Sequence, residues 1–138
     1  MKLEKVINDA YEKLKKNNIK SALLDSELLL SKALNKSREF IILNSKYNIN
    51  KKDYFYFQNL VNQRSYGKPV AYLTNKKFFW KYEFLINDKV LIPRPDTEVI
   101  IENVLSIFKK KNNISFLDIG FGSGCIMLSI LKERKDFK

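Results

Sequence analysis

The chain has 138 residues, of which 45% are hydrophobic, and a formal net charge of +11, a composition typical of a folded globular protein. One cysteine and no histidine exclude a disulfide framework, a zinc site of histidine and cysteine, and histidine-based acid–base catalysis, so we expect no metal. No apolar run approaches the ~20 residues of a membrane span, and the first residues lack the layout of a signal peptide, so we expect a cytoplasmic protein.

The basic residues are concentrated in the first two thirds of the chain. Residues 1–92 hold 18 Lys and Arg against 9 Asp and Glu, whereas residues 93–138 hold 8 against 6. Such an excess favours an acidic or nucleic-acid partner. However, only four of the basic residues are arginine, and surfaces that read phosphates use more arginine than this. We therefore interpret the lysines as solvated helix faces and expect no direct nucleic-acid binding.

Residues 1–75 have the periodicity of short helices and predict a small all-α bundle. Apolar residues recur every three or four positions from Leu3 to Leu14, which predicts an amphipathic first helix that ends near Asn17. Ser21 precedes an apolar stretch that runs to Leu34. We predict that this second helix is central and the most buried.

Two further helices are predicted with polar caps. Ser37 precedes a short apolar helix, and Asn50 precedes a helix with aromatic and aliphatic residues on its inner face. Gly67 ends the latter helix. Phe55 and Tyr56 do not fit that inner face, and they indicate a surface for a partner.

Residues 77–86 have a different character. Aromatic residues that favour β-strands dominate this segment, and Tyr82, Phe84 and Ile86 occupy alternate positions. We predict a β-hairpin that turns near Trp80 and connects the bundle to the rest of the chain.

A proline-rich motif follows at residues 90–98, Val-Leu-Ile-Pro-Arg-Pro-Asp-Thr-Glu. Its prolines bracket Arg94, which makes the backbone rigid and extended and removes two hydrogen-bond donors. Asp96 or Thr97 is predicted to cap a helix whose apolar residues, from Ile100 to Phe108, have helical spacing. Physical chemistry alone favours a rigid connector with a cap.

Three of the four glycines lie within five residues, in the segment Phe-Leu-Asp-Ile-Gly-Phe-Gly-Ser-Gly-Cys at residues 116–125. Residues 114–119 are predicted to form a buried strand and residues 125–131 a helix. Glycine at every second position suits a backbone that turns tightly and approaches a ligand closely. Ligands of open α/β sheets bind beyond the carboxyl ends of the strands, where this loop lies. Cys125 is predicted to be a buried structural thiol, because there is no histidine to activate it.

Residues 91–98 followed by residues 117–124 resemble the HemK-type family, the release-factor glutamine methyltransferases. Residues 24–30, 60–64 and 67–74 are similar to further segments of that family, so the resemblance covers nearly the whole chain. The proline-arginine-proline motif is specific to this family and its close relatives, whereas most S-adenosylmethionine-dependent methyltransferases share the glycine loop. Asn75 stands where the family usually has glycine, and asparagine also tolerates a positive φ.

The resemblance implies an all-α helical bundle at residues 1–75, a β-hairpin connector at 76–92, and at 93–138 the beginning, helix-strand-helix, of a Rossmann-like α/β class I methyltransferase domain. It implies transfer of a methyl group from S-adenosylmethionine to the side-chain amide of the glutamine in the Gly-Gly-Gln motif of class 1 peptide chain release factors. The bundle would dock the release factor. The cofactor-binding residues would be Asp118, Gly120, Phe121, Gly122, Ser123 and Gly124.

One motif of that family is absent. Its methyl-transfer site is Asn-Pro-Pro-Tyr on a loop after a later strand, and this sequence contains no Pro-Pro. We therefore interpret the chain as the N-terminal portion of an enzyme, with no catalytic residue of its own and no activity alone. A buried parallel strand needs neighbouring strands and covering helices, so we expect residues 93–138 to expose apolar surface and strand edges.

Two other functions are compatible with the sequence. A paralogue in the same family would methylate glutamine in a ribosomal protein, which changes the substrate and keeps the chemistry. Alternatively, the chain is a non-catalytic module whose helices bind a translation factor or RNA. An Asn-Pro-Pro-Tyr sequence encoded downstream would favour the enzyme over the module.

Overall fold

The computed structural model describes all 138 residues, which form two compact units, Met1–Thr74 and Asn75–Lys138. The first unit is built from helices, as predicted. These are α1 Leu3–Lys16, α2 Ala22–Leu34, α3 Arg38–Leu43, α4 Lys51–Ser65 and α5 Val70–Thr74. None of the helices in the chain combines the length and the apolarity that a bilayer crossing requires.

Helix α2 lies at the centre of the first unit and packs against the four other helices. Leu29 and Leu30 of α2 are fully buried. They belong to one core with inward-facing residues of the other helices, among them Leu3, Val6, Leu14, Ile41, Phe57, Val61 and Leu73. The prediction of a central second helix is confirmed, although Leu23 and Leu24 at its start are exposed.

The helix caps agree with the sequence in the first unit and not in the second. Ser37 Oγ accepts a hydrogen bond from the Phe40 amide at 3.2 Å, and Asn50 Oδ1 accepts one from the Asp53 amide at 2.9 Å. The predicted cap at Asp96 or Thr97 is wrong, because residues Pro95–Thr97 form a 3₁₀ turn and the Thr97 side chain makes no capping bond. A capping residue needs an extended backbone, and Thr97 has helical angles, φ −70° and ψ −17°.

The first residues of the chain are paired with the segment before α4. The Ile49 amide donates to the Met1 carbonyl at 2.8 Å, and the Met1 ammonium donates to the Ile49 carbonyl at 3.2 Å. The Leu3 amide donates to the Tyr47 carbonyl at 2.9 Å. The start of α1 is therefore fixed by a segment more than forty residues later in the sequence.

The second unit begins with the predicted hairpin. Strands β1 Lys76–Phe79 and β2 Tyr82–Leu85 are antiparallel, and Phe79 lies opposite Tyr82. Trp80 occupies the turn between them with φ 57°, an uncommon conformation for a large non-glycine residue. Two helices follow, α6 Glu98–Ile107 and α7 Cys125–Glu133, and Cys125 is buried as predicted.

Residues 114–119, predicted as a buried strand, are not part of a sheet in the structure. Leu117 is 83% exposed and Ile119 is 87% exposed, because no neighbouring strand or helix covers them. One pairing is present: the Phe116 amide donates to the Lys138 carbonyl, and the Lys138 amide donates to the Ile114 carbonyl, both at 2.9 Å. Lys138 thus uses its amide and its carbonyl to bond two residues that are two positions apart, Ile114 and Phe116. This is the hydrogen-bond pattern of parallel strands.

The second unit also exposes large apolar side chains elsewhere, which confirms the expected apolar surface of this part of the chain. They include Leu85, Leu91, Val99 and Ile107.

Candidate functional site

The glycine loop between residue 118 and α7 is held in left-handed conformations. Gly120 has φ 77°, Gly122 has φ 54° and Gly124 has φ 72°. Each of these angles is costly for a residue with a Cβ atom. The Gly124 amide donates to the Phe121 carbonyl at 2.7 Å, and the Leu128 amide donates to the Gly124 carbonyl at 2.9 Å. The loop therefore makes one tight turn and leads directly into α7.

The space around the three glycines differs. A Cβ atom on Gly120 would meet no atom within 4 Å, and one on Gly122 would meet only the Gly120 carbonyl oxygen at 3.9 Å. A Cβ atom on Gly124 would lie 3.3 Å from Leu128 Cδ1. Close packing against Leu128 of α7 therefore explains why residue 124 has no side chain, whereas no neighbouring atom would obstruct a Cβ atom at Gly120 or Gly122. Their backbone is open to an external ligand.

Asp118 precedes this loop and has an unsatisfied carboxylate. Its Oδ2 atom is buried and has no hydrogen-bond partner, and Ser129 Oγ on α7 is the other buried side-chain atom in this condition. A buried acceptor without a partner is costly, so an external donor at Asp118 would relieve that cost. The sequence pointed to Asp118 by its place before the glycines, whereas nothing in the sequence marked Ser129.

The other predicted cofactor residues lie in the same loop. Phe121 is exposed and Ser123 is half-buried, so the structure places the six predicted residues in one short segment. Arg94 of the proline-rich motif is exposed and forms no ion pair, whereas Pro93 beside it is buried.

Three side chains of the hairpin donate hydrogen bonds to Glu133 of α7, an arrangement that the sequence did not indicate and that we call the Glu133 cluster. Glu133 Oε1 accepts hydrogen bonds from Trp80 Nε1 at 2.9 Å and from the Tyr82 hydroxyl at 3.1 Å, and Glu133 Oε2 accepts one from Lys81 Nζ at 3.1 Å. Chiefly the Lys81 ammonium, and then the Trp80 indole, lower the pKa of Glu133. Burial and the hydrogen bond to Glu133 raise the pKa of Tyr82. The backbone amide of Trp80 donates to Glu98 Oε1 at 2.8 Å, so two carboxylates fix this one residue.

Residues 5–74, slightly more than half of the chain, match the family described as the PrmC N-terminal domain. This chain belongs to that family. The resemblance inferred from residues 24–30, 60–64 and 67–74 is therefore confirmed.

Curated relatives extend the match beyond the helical unit. The chain is 41% identical over 135 residues to the release factor glutamine methyltransferase of Leptospira interrogans, which covers 96% of this chain and 46% of the relative. It is 38% identical over 138 residues to the enzyme of that name from Buchnera aphidicola subsp. Baizongia pistaciae, covering 100% and 50%. It is 38% identical over 136 residues to the release factor glutamine methyltransferase of Clostridium acetobutylicum, which covers 99% of this chain and 48% of the relative. The chain spans about half the length of these relatives.

Within the matched residues, one ion pair joins two of the segments that carry the resemblance. Arg64 Nε of α4 donates to Asp25 Oδ2 of α2 at 2.7 Å, and both side chains are largely buried. Arg64 Nη1 also donates to the Lys68 carbonyl at 3.3 Å. This ion pair therefore joins residues 24–30 to residues 60–64, in addition to the apolar packing of α2 against α4.

Proposed function

We propose that these 138 residues belong to an S-adenosylmethionine-dependent methyltransferase that modifies the glutamine side-chain amide in the Gly-Gly-Gln motif of class 1 release factors. The observation that carries this proposal is the left-handed glycine loop beside the unsatisfied carboxylate oxygen of Asp118. The names of the relatives support the same reaction.

The residues of the loop fit this cofactor. S-adenosylmethionine carries an ammonium group and ribose hydroxyls, which are the donors that Asp118 Oδ2 lacks. The segment from Gly120 to Gly124, with Phe121 and Ser123 between the glycines, offers backbone that no side chain shields at Gly120 and Gly122. When bound, the cofactor supplies an electrophilic methyl group.

We propose that residues 93–138 are the beginning of a Rossmann-like methyltransferase domain. The parallel pairing of Lys138 with Ile114 and Phe116 on the two sides of α7 supports this, because strand–helix–strand units join parallel strands in this way. Leu117 and Ile119 would then be covered by further strands and helices of such a domain. Residues 76–92 would connect it to a release-factor-binding bundle at residues 1–75.

The chemistry makes positioning the main task of the protein. An amide nitrogen is a poor nucleophile because its lone pair is delocalised into the carbonyl group. The enzyme must therefore hold it in line with the methyl group, and such positioning lowers the barrier substantially. We assign no residue of these 138 to that step; their role is to bind the cofactor and to dock the substrate.

Nuclear magnetic resonance of the 138-residue chain tests cofactor binding directly. The chain has four glycines, three in the loop and Gly67 in the helical unit, so Gly67 is an internal control. On addition of millimolar S-adenosylmethionine, we expect the amide signals of Gly120, Gly122 and Gly124 to shift while that of Gly67 stays in place. No shift, or equal shifts at all four glycines, would contradict the proposal.

A pair of valine variants separates binding from folding. Gly122→Val and Gly67→Val both place a branched side chain at a positive φ without a close contact at Cβ, at a similar cost of ~1–2 kcal/mol. We expect Gly122→Val to abolish the cofactor-induced shifts and Gly67→Val to keep them, with circular dichroism as the check on folding. Retained shifts in a folded Gly122→Val variant would remove the loop from the cofactor site.

A further inference from the structure

Helix α4 carries apolar residues on two opposite faces. Phe57, Leu60 and Val61 are buried in the core, whereas Phe55 is 68% exposed and Tyr66, directly after the helix, is 91% exposed. A helix on a protein surface normally has one apolar face and one polar face. The second, solvent-facing set of aromatic residues is therefore not explained by the packing of the bundle.

Five of the exposed residues form one line along the helix, and the exposed Lys52 and Tyr56 lie beside it. Lys51, Phe55, Asn59, Asn62 and Tyr66 are separated by four, four, three and four residues, and all are exposed. Residues three and four apart lie on the same face of a helix. This outer stripe of α4 extends over about 22 Å at 1.5 Å per residue, which is long enough to support a macromolecular partner.

The charge on the outer stripe is positive only. Lys51 begins it, Lys13 of α1 donates to the side chain of Asn62 within it, and no stripe residue has a carboxylate. The nearest carboxylate on α4 itself is that of Asp53, which accepts a hydrogen bond from Asn50 Nδ2 at 2.8 Å. Lys51 forms no ion pair, unlike the arginines of the same unit, Arg38 and Arg64.

We propose that the outer stripe of α4 is the surface that docks an acidic face of the protein substrate, with Phe55 as the apolar anchor; this rests on the proposed function. Positive charge on one side of an interface is complemented by carboxylates on the other side. Aromatic residues are enriched among the residues that contribute most to binding at protein interfaces. A protein partner is favoured over nucleic acid because the stripe has no arginine and only one cation of its own, Lys51, with Lys13 of α1 beside Asn62 near the other end.

Binding of the full 138-residue chain to a purified class 1 release factor, measured by surface plasmon resonance, tests this surface. We expect Phe55→Ala to weaken binding about tenfold. Its matched control is Phe78→Ala, which removes a phenylalanine of the same exposure, 69%, from β1. We expect that control to bind like the wild type.

A charge reversal provides the second arm. Lys51→Glu places a carboxylate in the first turn of α4, where it favours the helix, so weaker binding cannot result from unfolding. We expect Lys51→Glu to slow association and to reduce its dependence on salt. Lys5→Glu, an exposed lysine in the first turn of α1, is the control that should change neither.

The outcomes distinguish the surface from the function. Equal binding by wild type, Phe55→Ala and Lys51→Glu overturns the surface and leaves the proposed function intact. Absence of wild-type binding overturns the docking of a release factor by these 138 residues, and the glycine shifts with S-adenosylmethionine then show separately whether the proposed cofactor site stands. Binding of a 12-nucleotide single-stranded RNA that is lost in Phe55→Ala, without binding to the release factor, overturns the protein partner.

Discussion

The ion pair of Asp25 and Arg64 explains why an acidic residue stands in the apolar helix α2. The sequence places Asp25 among leucines in α2, where an unpaired carboxylate would be costly. The structure satisfies it with the Arg64 guanidinium at 2.7 Å across the bundle. Spacing along one helix cannot reveal such a pair, because the two residues lie 39 positions apart.

Removal of that carboxylate should destabilise the helical unit. We expect Asp25→Ala to lower the free energy of unfolding by about 3–5 kcal/mol, because it leaves the Arg64 charge largely buried without a partner. Urea denaturation followed by circular dichroism at 222 nm measures this. Glu27→Ala, which breaks the more exposed pair with Arg38, is the control and should cost no more than about 1 kcal/mol. Similar losses in the two variants would contradict a special role for the Asp25 pair.

The helices of the first unit were predictable from sequence because their signals are local. Periodicity identified α1, α2 and α4, and side-chain chemistry identified the caps at Ser37 and Asn50. Residues 114–119 failed as a strand because β-structure depends on a partner elsewhere in the chain. The spacing of the glycines predicted the tight turn of the loop, which the left-handed angles confirm, and its role as a cofactor site stays a prediction. Ser129 and the Glu133 cluster depend on tertiary contacts that no local pattern encodes.

In the second unit, Arg134 joins elements that are distant in sequence. It forms a two-pronged pair with Asp136, with both N···O distances 2.9 Å, and donates to the Phe108 carbonyl at the end of α6 at 3.0 Å. Asp136 Oδ2 also accepts from the Asn113 amide at 3.2 Å. The end of α6 and the segment after α7 are thereby held together beside residues 114–116.

This pair predicts acid sensitivity of the second unit. The Arg134 guanidinium lowers the pKa of Asp136 from 3.8 to about 2, so the folded state favours the charged carboxylate. The stabilisation is therefore fully present above about pH 4 and is lost as the pH falls toward 2. Urea midpoints between pH 5 and pH 2.5, read from the fluorescence of the single tryptophan, Trp80, should decrease across this window.

The variant Asp136→Asn isolates this contribution. It should lower the midpoint at pH 5 and flatten the decrease toward pH 2.5. A residual slope is expected from Glu133, whose pKa is also lowered. Parallel curves for wild type and variant would show that Asp136 does not carry the acid response.

At the scale of the whole molecule, the two units differ in how well they bury their apolar residues. The helical unit has one continuous core, whereas the second unit leaves Leu117, Ile119 and other large side chains in solvent. Burial of apolar surface is the main source of folding stability. The stability of the chain should therefore be uneven along its length.

Chemical denaturation should resolve this difference. Far-ultraviolet circular dichroism reports mostly the helices of the first unit, and Trp80 reports the second unit alone. We expect the Trp80 transition to occur at a lower urea concentration than the circular dichroism transition, which departs from two-state unfolding. Superimposable transitions would mean that the chain unfolds as one cooperative body.

The pairing of Met1 with Ile49 also sets an order of events during synthesis. The residues of α1 leave the ribosome before the segment around Tyr47 and Ile49, yet the bonds that fix the start of α1 come from that segment. At about 5–20 residues per second, this segment follows roughly 2–10 s after Met1. Until then α1, a helix of 14 residues whose length alone gives only marginal stability in water, can pack against α2 but not yet against α4. The bundle therefore closes late, and during that interval the part of the apolar face of α1 that packs against α4 in the folded unit stays in solvent.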